Sequence, residues 1–178
     1  MYITLEGIDG CGTSTVLSRL DVDAHKTEEP SNSWLGNITR ESFENRDIEQ
    51  LSRFYLFMAD RVQHTRNFPD GDVISDRGPD STRAYQYHTS DLSESFIEEN
   101  LKRTPTPDLT IWFEVDVDTA MSRLGQYDAF EKYELQRRVS SRYQELYERH
   151  DRIIKVDASQ SIDVVTQEVQ EIINDTLR

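Results

Sequence analysis

Short apolar runs alternate with longer amphipathic stretches along the whole chain, the pattern of strands separated by helices. Tyr2 to Leu5 predicts a buried strand, followed by a Gly-rich turn and a helix from about Thr13 to Leu20. Asp23 to Thr27 predicts a short strand ending before Pro30, and Trp34 to Phe43 has helical spacing. From Ile48 to about Val62 the residues Ile48, Leu51, Tyr55, Met58 and Val62 recur every three or four positions, as one face of a long helix. Asp72 to Ser75 predicts a third strand, Pro79-Asp80-Ser81 a helix start with Asp80 or Ser81 as its cap, and Leu92 to Leu101 another helix. After the breaker cluster Thr104 to Pro107, Leu109 to Val115 is the strongest strand signal. Thr119 to Leu124 begins a helix that Gly125 to Asp128 interrupts, and a long helix spans roughly Phe130 to Arg149. Arg152 to Val156 predicts the last strand, and Ile162 to Ile173 the last helix. Helix-sized connections between strands imply a parallel sheet covered on both faces, so the expected fold is a three-layer α/β/α unit with five parallel strands. No repeat or linker divides the 178 residues, and one domain over 1–178 is expected.

Composition narrows the partners. Asp and Glu number 34 against 20 Lys and Arg, for a net charge of -14, which argues against nonspecific binding to nucleic acid or to acidic membranes. Lys26, Lys102, Lys132 and Lys155 are the only lysines, and the other sixteen of the twenty basic residues are arginines. That balance suits a protein of a salt-rich interior and equally an ordinary acidic cytosolic protein. A mean hydropathy of -0.73 raises the question of disorder, and the clustering of the apolar residues answers it. Cys11 is the only cysteine, so no intrachain disulfide forms and a reducing cytoplasm is the expected compartment. No membrane-spanning run or leader is expected.

The first strand runs into Gly7-Ile8-Asp9-Gly10-Cys11-Gly12-Thr13-Ser14-Thr15. The phosphate-binding loop pattern fits at Gly7, Gly12 and Ser14, in the strand, turn and helix context it requires. Glycines let successive backbone N–H groups point at phosphates, the following helix adds its positive dipole end, and Ser14 stands where a hydroxyl would coordinate magnesium. The lysine position of the pattern holds Thr13, and a neutral hydroxyl cannot replace that Coulombic attraction. Cys11 reads as a small filler rather than a reactive thiol. After the third strand, Asp76 lies where a magnesium water could be oriented, and Arg77 where a phosphate could be clamped.

Several ordered motifs resemble the thymidylate kinase family over nearly the whole chain. YITLEGIDGCGTST is similar to its first strand and loop, Glu29-Pro30 to the end of its T-R-E-P segment, Phe57-Met58-Ala59-Asp60-Arg61 to its F-x-x-D-R, and SDRGPDSTRAYQ to its D-R-Y-x-x-S-x-x-A-Y-Q. Pro107 to Thr110 and Val156 to Ser161 follow its pattern as well. The resemblance implies a P-loop kinase transferring the γ-phosphoryl group of ATP to dTMP, with Mg²⁺ held through Ser14 and with Asp9 and Asp76 nearby. Gly7, Asp9, Gly10, Cys11, Gly12, Thr13, Ser14 and Thr15 would hold the ATP phosphates. Phe57 would stack on thymine, Arg61 would bond its O4 edge, and Arg77 would hold the acceptor phosphate. Ser81 and Thr82 would lie along the base, and Tyr85 at the sugar's 2′ position. Asp9, Arg77 and Arg123 would be the catalytic set, and a homodimer is implied.

The chain departs from that family at Thr13, at Glu28 for the arginine of T-R-E-P, and at Gly78 for the aromatic of D-R-Y. The lid expected at about 123–131 is also thin in charge, with Arg123 its only arginine. Arg19, Arg123, Arg137 and Arg138 are the candidates to compensate, and the sequence does not choose among them. A nucleotide-binding relative without turnover, and a kinase for another deoxynucleotide such as dUMP, stay open beside the first reading.

Overall fold

The computed structural model describes residues 1–43, 45, 47–89, 92–124 and 130–178. The strands are β1 (Tyr2–Gly7), β2 (His25–Glu28), β3 (Val73–Asp76), β4 (Leu109–Glu114) and β5 (Ile153–Asp157). They form one sheet in the order β2-β3-β1-β4-β5, with every pair parallel. The helices are α1 (Thr13–Arg19), α2 (Trp34–Glu41), α3 (Gln50–Arg66), α4 (Pro79–Thr89), α5 (Glu94–Leu101), α6 (Val117–Arg123), α7 (Phe130–Arg149) and α8 (Ile162–Thr176). This is the α/β fold expected of a P-loop kinase. Most of the expected lid falls on 125–129, outside the described residues.

Alternation along the strands gives the sheet two unlike faces. Ile3, Leu5, Ile74, Ile111 and Phe113 share one face by register and join the main core, where α1 and α8 cover the sheet. Tyr2, Thr4, Glu6, Thr110 and Trp112 share the other, which α4 and α7 cover. That second face is buried yet rich in hydroxyls and charge. Thr4 and Thr110 bond through their hydroxyls at 2.9 Å, and the Trp112 and Tyr143 rings stack with centroids 6.4 Å apart.

Two sequence expectations are corrected here. Asp80 does not cap α4, which begins at Pro79; it is fully buried in the first turn, where Arg152 holds both its oxygens (2.7 and 2.8 Å) and Arg83 and Thr110 bond it as well. Burial alone would raise its pKa, and these bonds outweigh burial and hold it below the ordinary value. On α3 the buried residues are Phe54, Met58, Asp60 and Arg61, whereas Leu51 and Tyr55 are exposed. The apolar residues there lie on more than one face, and packing against α5 selects Phe54 and Met58, which cluster with Ile97 and Leu101.

Candidate functional site

The chain leaves β1 at Gly7 and turns through Gly10 and Gly12, both at positive φ (84° and 104°), before α1 opens. A Cβ on Gly10 would stand 2.3 Å from the Ala120 carbonyl oxygen, so only glycine lets the loop lie against α6. Cys11 is buried under the loop and burial raises its thiol pKa, which suits the filler role expected of it.

Above the loop lies a cavity of about 770 Å³, lined by residues 8–15, by Arg77, Arg123 and Lys132, and on its far side by Ala158, Gln160 and Ser161. A second cavity of about 550 Å³ is lined by Glu28, Asn32, Asn37, Arg40 and Asp76. Ser14 and Arg77 line both. Each volume is within the range of small-molecule sites. Between the two, the Ser14 hydroxyl donates to Asp76 Oδ2, while Asp76 Oδ1 is buried without a partner among the described residues. A hydroxyl beside a carboxylate oxygen with open acceptor capacity is a donor set that fits a hydrated Mg²⁺. Asp9 fits less well as a ligand, because both its oxygens have partners: Tyr85 Oη lies 2.8 Å and Arg77 Nη2 3.2 Å from Oδ1, and Gln136 Nε2 2.8 Å from Oδ2.

Arg77 has φ 74°, in the left-handed region that non-glycine residues rarely adopt. Its guanidinium donates to the Gly7 carbonyl and to Asp9, and lies over the Tyr85 ring at 5.4 Å. Burial pushes the Tyr85 hydroxyl pKa well up against the pull of the Arg77 charge, so Tyr85 is a neutral donor.

Below this cluster, Glu6 is fully buried, with Oε2 accepting from Ser81 (2.5 Å) and Tyr143 (2.9 Å). Burial first, and then the Asp80 charge, raise its pKa from 4.5 to about 7. Because the folded state keeps this proton longer than the unfolded chain, stability falls as pH rises from about 4.5 to about 7 and stays reduced above. Glu6→Gln is therefore expected to raise the melting temperature at pH 8 and to change it little at pH 5. A gain equal at both pH values would show that Glu6 is not the titrating group.

Gly78, at the aromatic position of the resembling motif, has no room for a larger side chain. A Cβ there would lie 2.6 Å from Thr4 Cγ2 and 3.0 Å from Tyr2 Oη, so β1 fills that volume instead.

The sequence-named residues do not all meet. Gly7, Asp9, Gly10, Cys11, Gly12, Thr13, Ser14 and Thr15 form one loop, and Arg77, Asp76 and Arg123 are beside its cavities. Arg61 is only 2% exposed, and Nε, Nη1 and Nη2 donate to Glu29 (2.7 Å), Thr82 (2.7 Å) and the Gly78 carbonyl (2.9 Å). Thr82 is buried with it, and Phe57, Ser81, Thr82 and Tyr85 line neither cavity. Phe57 packs edge-on against Phe43 with ring centroids 5.4 Å apart. Among the compensating candidates, Arg19 bonds Asp163 at 2.7 Å, Arg137 and Arg138 line neither cavity, and Arg123 lines the first.

Sequence reasoning missed Arg40, Gln136 and Lys132. Arg40 donates to the Pro30 and Ser31 carbonyls at the edge of the second cavity. Gln136 accepts from the Asp9 backbone N–H at 3.1 Å while donating to the Asp9 carboxylate. A polar residue on a charged helix leaves no periodic signal; only the spacing of Lys132 and Gln136, four apart on α7, was available to suggest a shared face.

A family model described as thymidylate kinase matches residues 5–169. The chain is 36% identical to the probable thymidylate kinase of Halorubrum lacusprofundi, over 99% of each chain. It is 34% identical to the probable thymidylate kinase of Methanocaldococcus jannaschii, over 95% of this chain and 93% of that one. To the thymidylate kinase of Nostoc punctiforme it is 33% identical, over 96% and 94% of the two chains. With the phosphate loop, the five-stranded parallel order and these matches in agreement from end to end, the chain belongs to the thymidylate kinase family.

Proposed function

We propose that this chain transfers the γ-phosphoryl group of ATP to dTMP, giving ADP and dTDP. One observation carries the reading beyond family membership: two cavities meet at Arg77 and Ser14, as two phosphorylated substrates exchanging a group between them require. ATP lies in the first cavity, with its phosphates against residues 8–15 and its base toward Gln160 and Ser161. The dTMP phosphate lies in the second, near Arg40 and Arg77, with thymine reaching toward Phe57. Arg61 and Thr82 act from behind, through Glu29 and the Gly78 carbonyl, by fixing the wall of the acceptor site.

An acceptor phosphate oxygen forms a bond to the γ-phosphorus as the bond from that phosphorus to the bridging oxygen breaks. Positioning and charge stabilisation are the protein's main contributions to such a transfer. Arg77 is held by Gly7 and Asp9 where both substrates meet, so it needs little reorganisation to stabilise the transferring group. Arg123 adds charge from the lid side. Ser14 and Asp76 would hold Mg²⁺, which when bound would neutralise charge developing on the donor phosphates.

Exposed Trp34, Phe43, Leu51 and Tyr55 on α2, α3 and their connection support a homodimer through that side, which sedimentation in high KCl reads directly. No described helix is long and apolar enough to cross a membrane, and a reaction that draws on ATP supports a cytoplasmic location. A coupled assay with ATP, Mg²⁺ and dTMP in high KCl tests the reading, with dUMP and thymidine as alternative acceptors. Turnover fastest with dTMP supports it. Nucleotide binding by calorimetry without turnover would assign the chain to a binding role, and faster turnover with dUMP would reassign the acceptor.

A further inference from the structure

The first cavity poses a charge problem. A donor triphosphate needs positive charge beside its terminal phosphates, and the loop residue that would supply it is Thr13, which is neutral and buried. Among the described residues three cationic side chains line that cavity: Arg77, Arg123 and Lys132. Arg77 is bound to Gly7 and Asp9 and also lines the second cavity, where an acceptor phosphate needs it. Arg123 lies exposed at the C-terminal end of α6.

Lys132 is placed differently. It stands in the first turn of α7, four residues before Gln136 and so on the same face of the helix, about 6 Å along its axis. Gln136 is 1% exposed and grips Asp9 through two bonds, one to its backbone N–H and one to its carboxylate. The helix is thereby pinned to the phosphate loop one turn away from Lys132, which lines the cavity. A lysine suits that position, because its compact charge and three rotatable donors need no planar, bidentate partner.

We propose that Lys132 is a catalytic residue that supplies, from α7, the charge the phosphate loop has lost at Thr13. This inference rests on the kinase reading above and names one residue of that same site. The positive charge has moved from the helix that follows the loop to the helix that follows the lid. Gln136 is the positioning residue for it.

The test compares Lys132→Gln, Lys132→Arg, Arg123→Gln and the double variant Thr13→Lys/Lys132→Gln. Lys132→Gln is expected to lower kcat by about 10²-fold or more, as losing one preorganised donor to a transition-state oxygen does. KM for dTMP should be unchanged, and calorimetric affinity for the ATP product ADP, with Mg²⁺, should weaken about tenfold, the equivalent of about 1.4 kcal/mol. Lys132→Arg, which keeps the charge, should retain most of the activity, and Thr13→Lys should restore at least tenfold when added to Lys132→Gln, a gain no purely structural role for Lys132 predicts. The inference is overturned if Lys132→Gln keeps both kcat and ADP affinity within about threefold of the parent, or if Arg123→Gln produces the large loss and Lys132→Gln does not. Absence of transfer by the parent would instead remove the kinase reading, while ADP titration would still report whether Lys132 contacts the nucleotide.

Discussion

Replacing Arg77 by alanine is expected to leave a folded protein whose phosphoryl transfer is slower by about 10³-fold or more, the scale of losing a guanidinium from a phosphoryl-transfer site. Arg77→Gly should be as inactive and yet at least as stable as Arg77→Ala. The reason is in the backbone: φ at this residue is 74°, a conformation that costs a non-glycine residue of order 1 to 3 kcal/mol and glycine almost nothing. Against that gain stands the greater freedom of glycine in the unfolded chain, about 0.4 to 1 kcal/mol. Melting curves of the two variants therefore read the strain while their common inactivity reads the charge. If Arg77→Ala retains more than about a tenth of parental kcat, the guanidinium is not at the transferring group.

The second large effect concerns stability. Arg61→Met is expected to cost about 3 to 5 kcal/mol, because it leaves Glu29 as an unpaired charge in a site where both side chains are almost wholly covered. In a chain of 178 residues that corresponds to a melting temperature lower by about 10 °C. The loss should be larger at pH 8 than at pH 5. Burial already raises the Glu29 pKa against the opposing pull of Arg61, and without Arg61 the carboxyl keeps its proton further up the scale. Its penalty therefore grows as pH rises through the carboxylate range and beyond. Adding Glu29→Gln to Arg61→Met should recover a large part of the loss. A single-variant cost under about 1 kcal/mol would mean that water reaches the pair.

What the sequence made legible was whatever follows from local chemistry. The loop could be read because glycines at positive φ and a hydroxyl after them have few other reasons to stand between a strand and a helix. Four of the five strands could be read because buried parallel strands carry apolar or β-branched runs; β2, His-Lys-Thr-Glu and mostly exposed, gave no such signal. Asp80 was misread because an acidic residue at a helix start is commonly a cap; its actual partner, Arg152, is 72 residues away and no local rule names it. Leu51 and Tyr55 were misread because α3 carries apolar residues on more than one face, and only its neighbour α5 decides which of them is covered. The link from Gln136 to Asp9 spans 127 residues, so the residue that orients the candidate site from α7 is visible only once the chain is folded.

The unlike faces of the sheet have a thermal consequence. Exposing apolar surface on unfolding raises the heat capacity, whereas exposing polar surface lowers it. On the face carrying Tyr2, Thr4, Glu6 and Thr110, unfolding releases hydroxyls and charges along with hydrocarbon. The heat-capacity increment per residue should accordingly fall below that of a kinase with hydrocarbon on both faces, and scanning calorimetry measures it. A smaller increment flattens the curve of stability against temperature, so this acidic, weakly hydrophobic chain should hold its fold over a broad thermal range with a modest maximum.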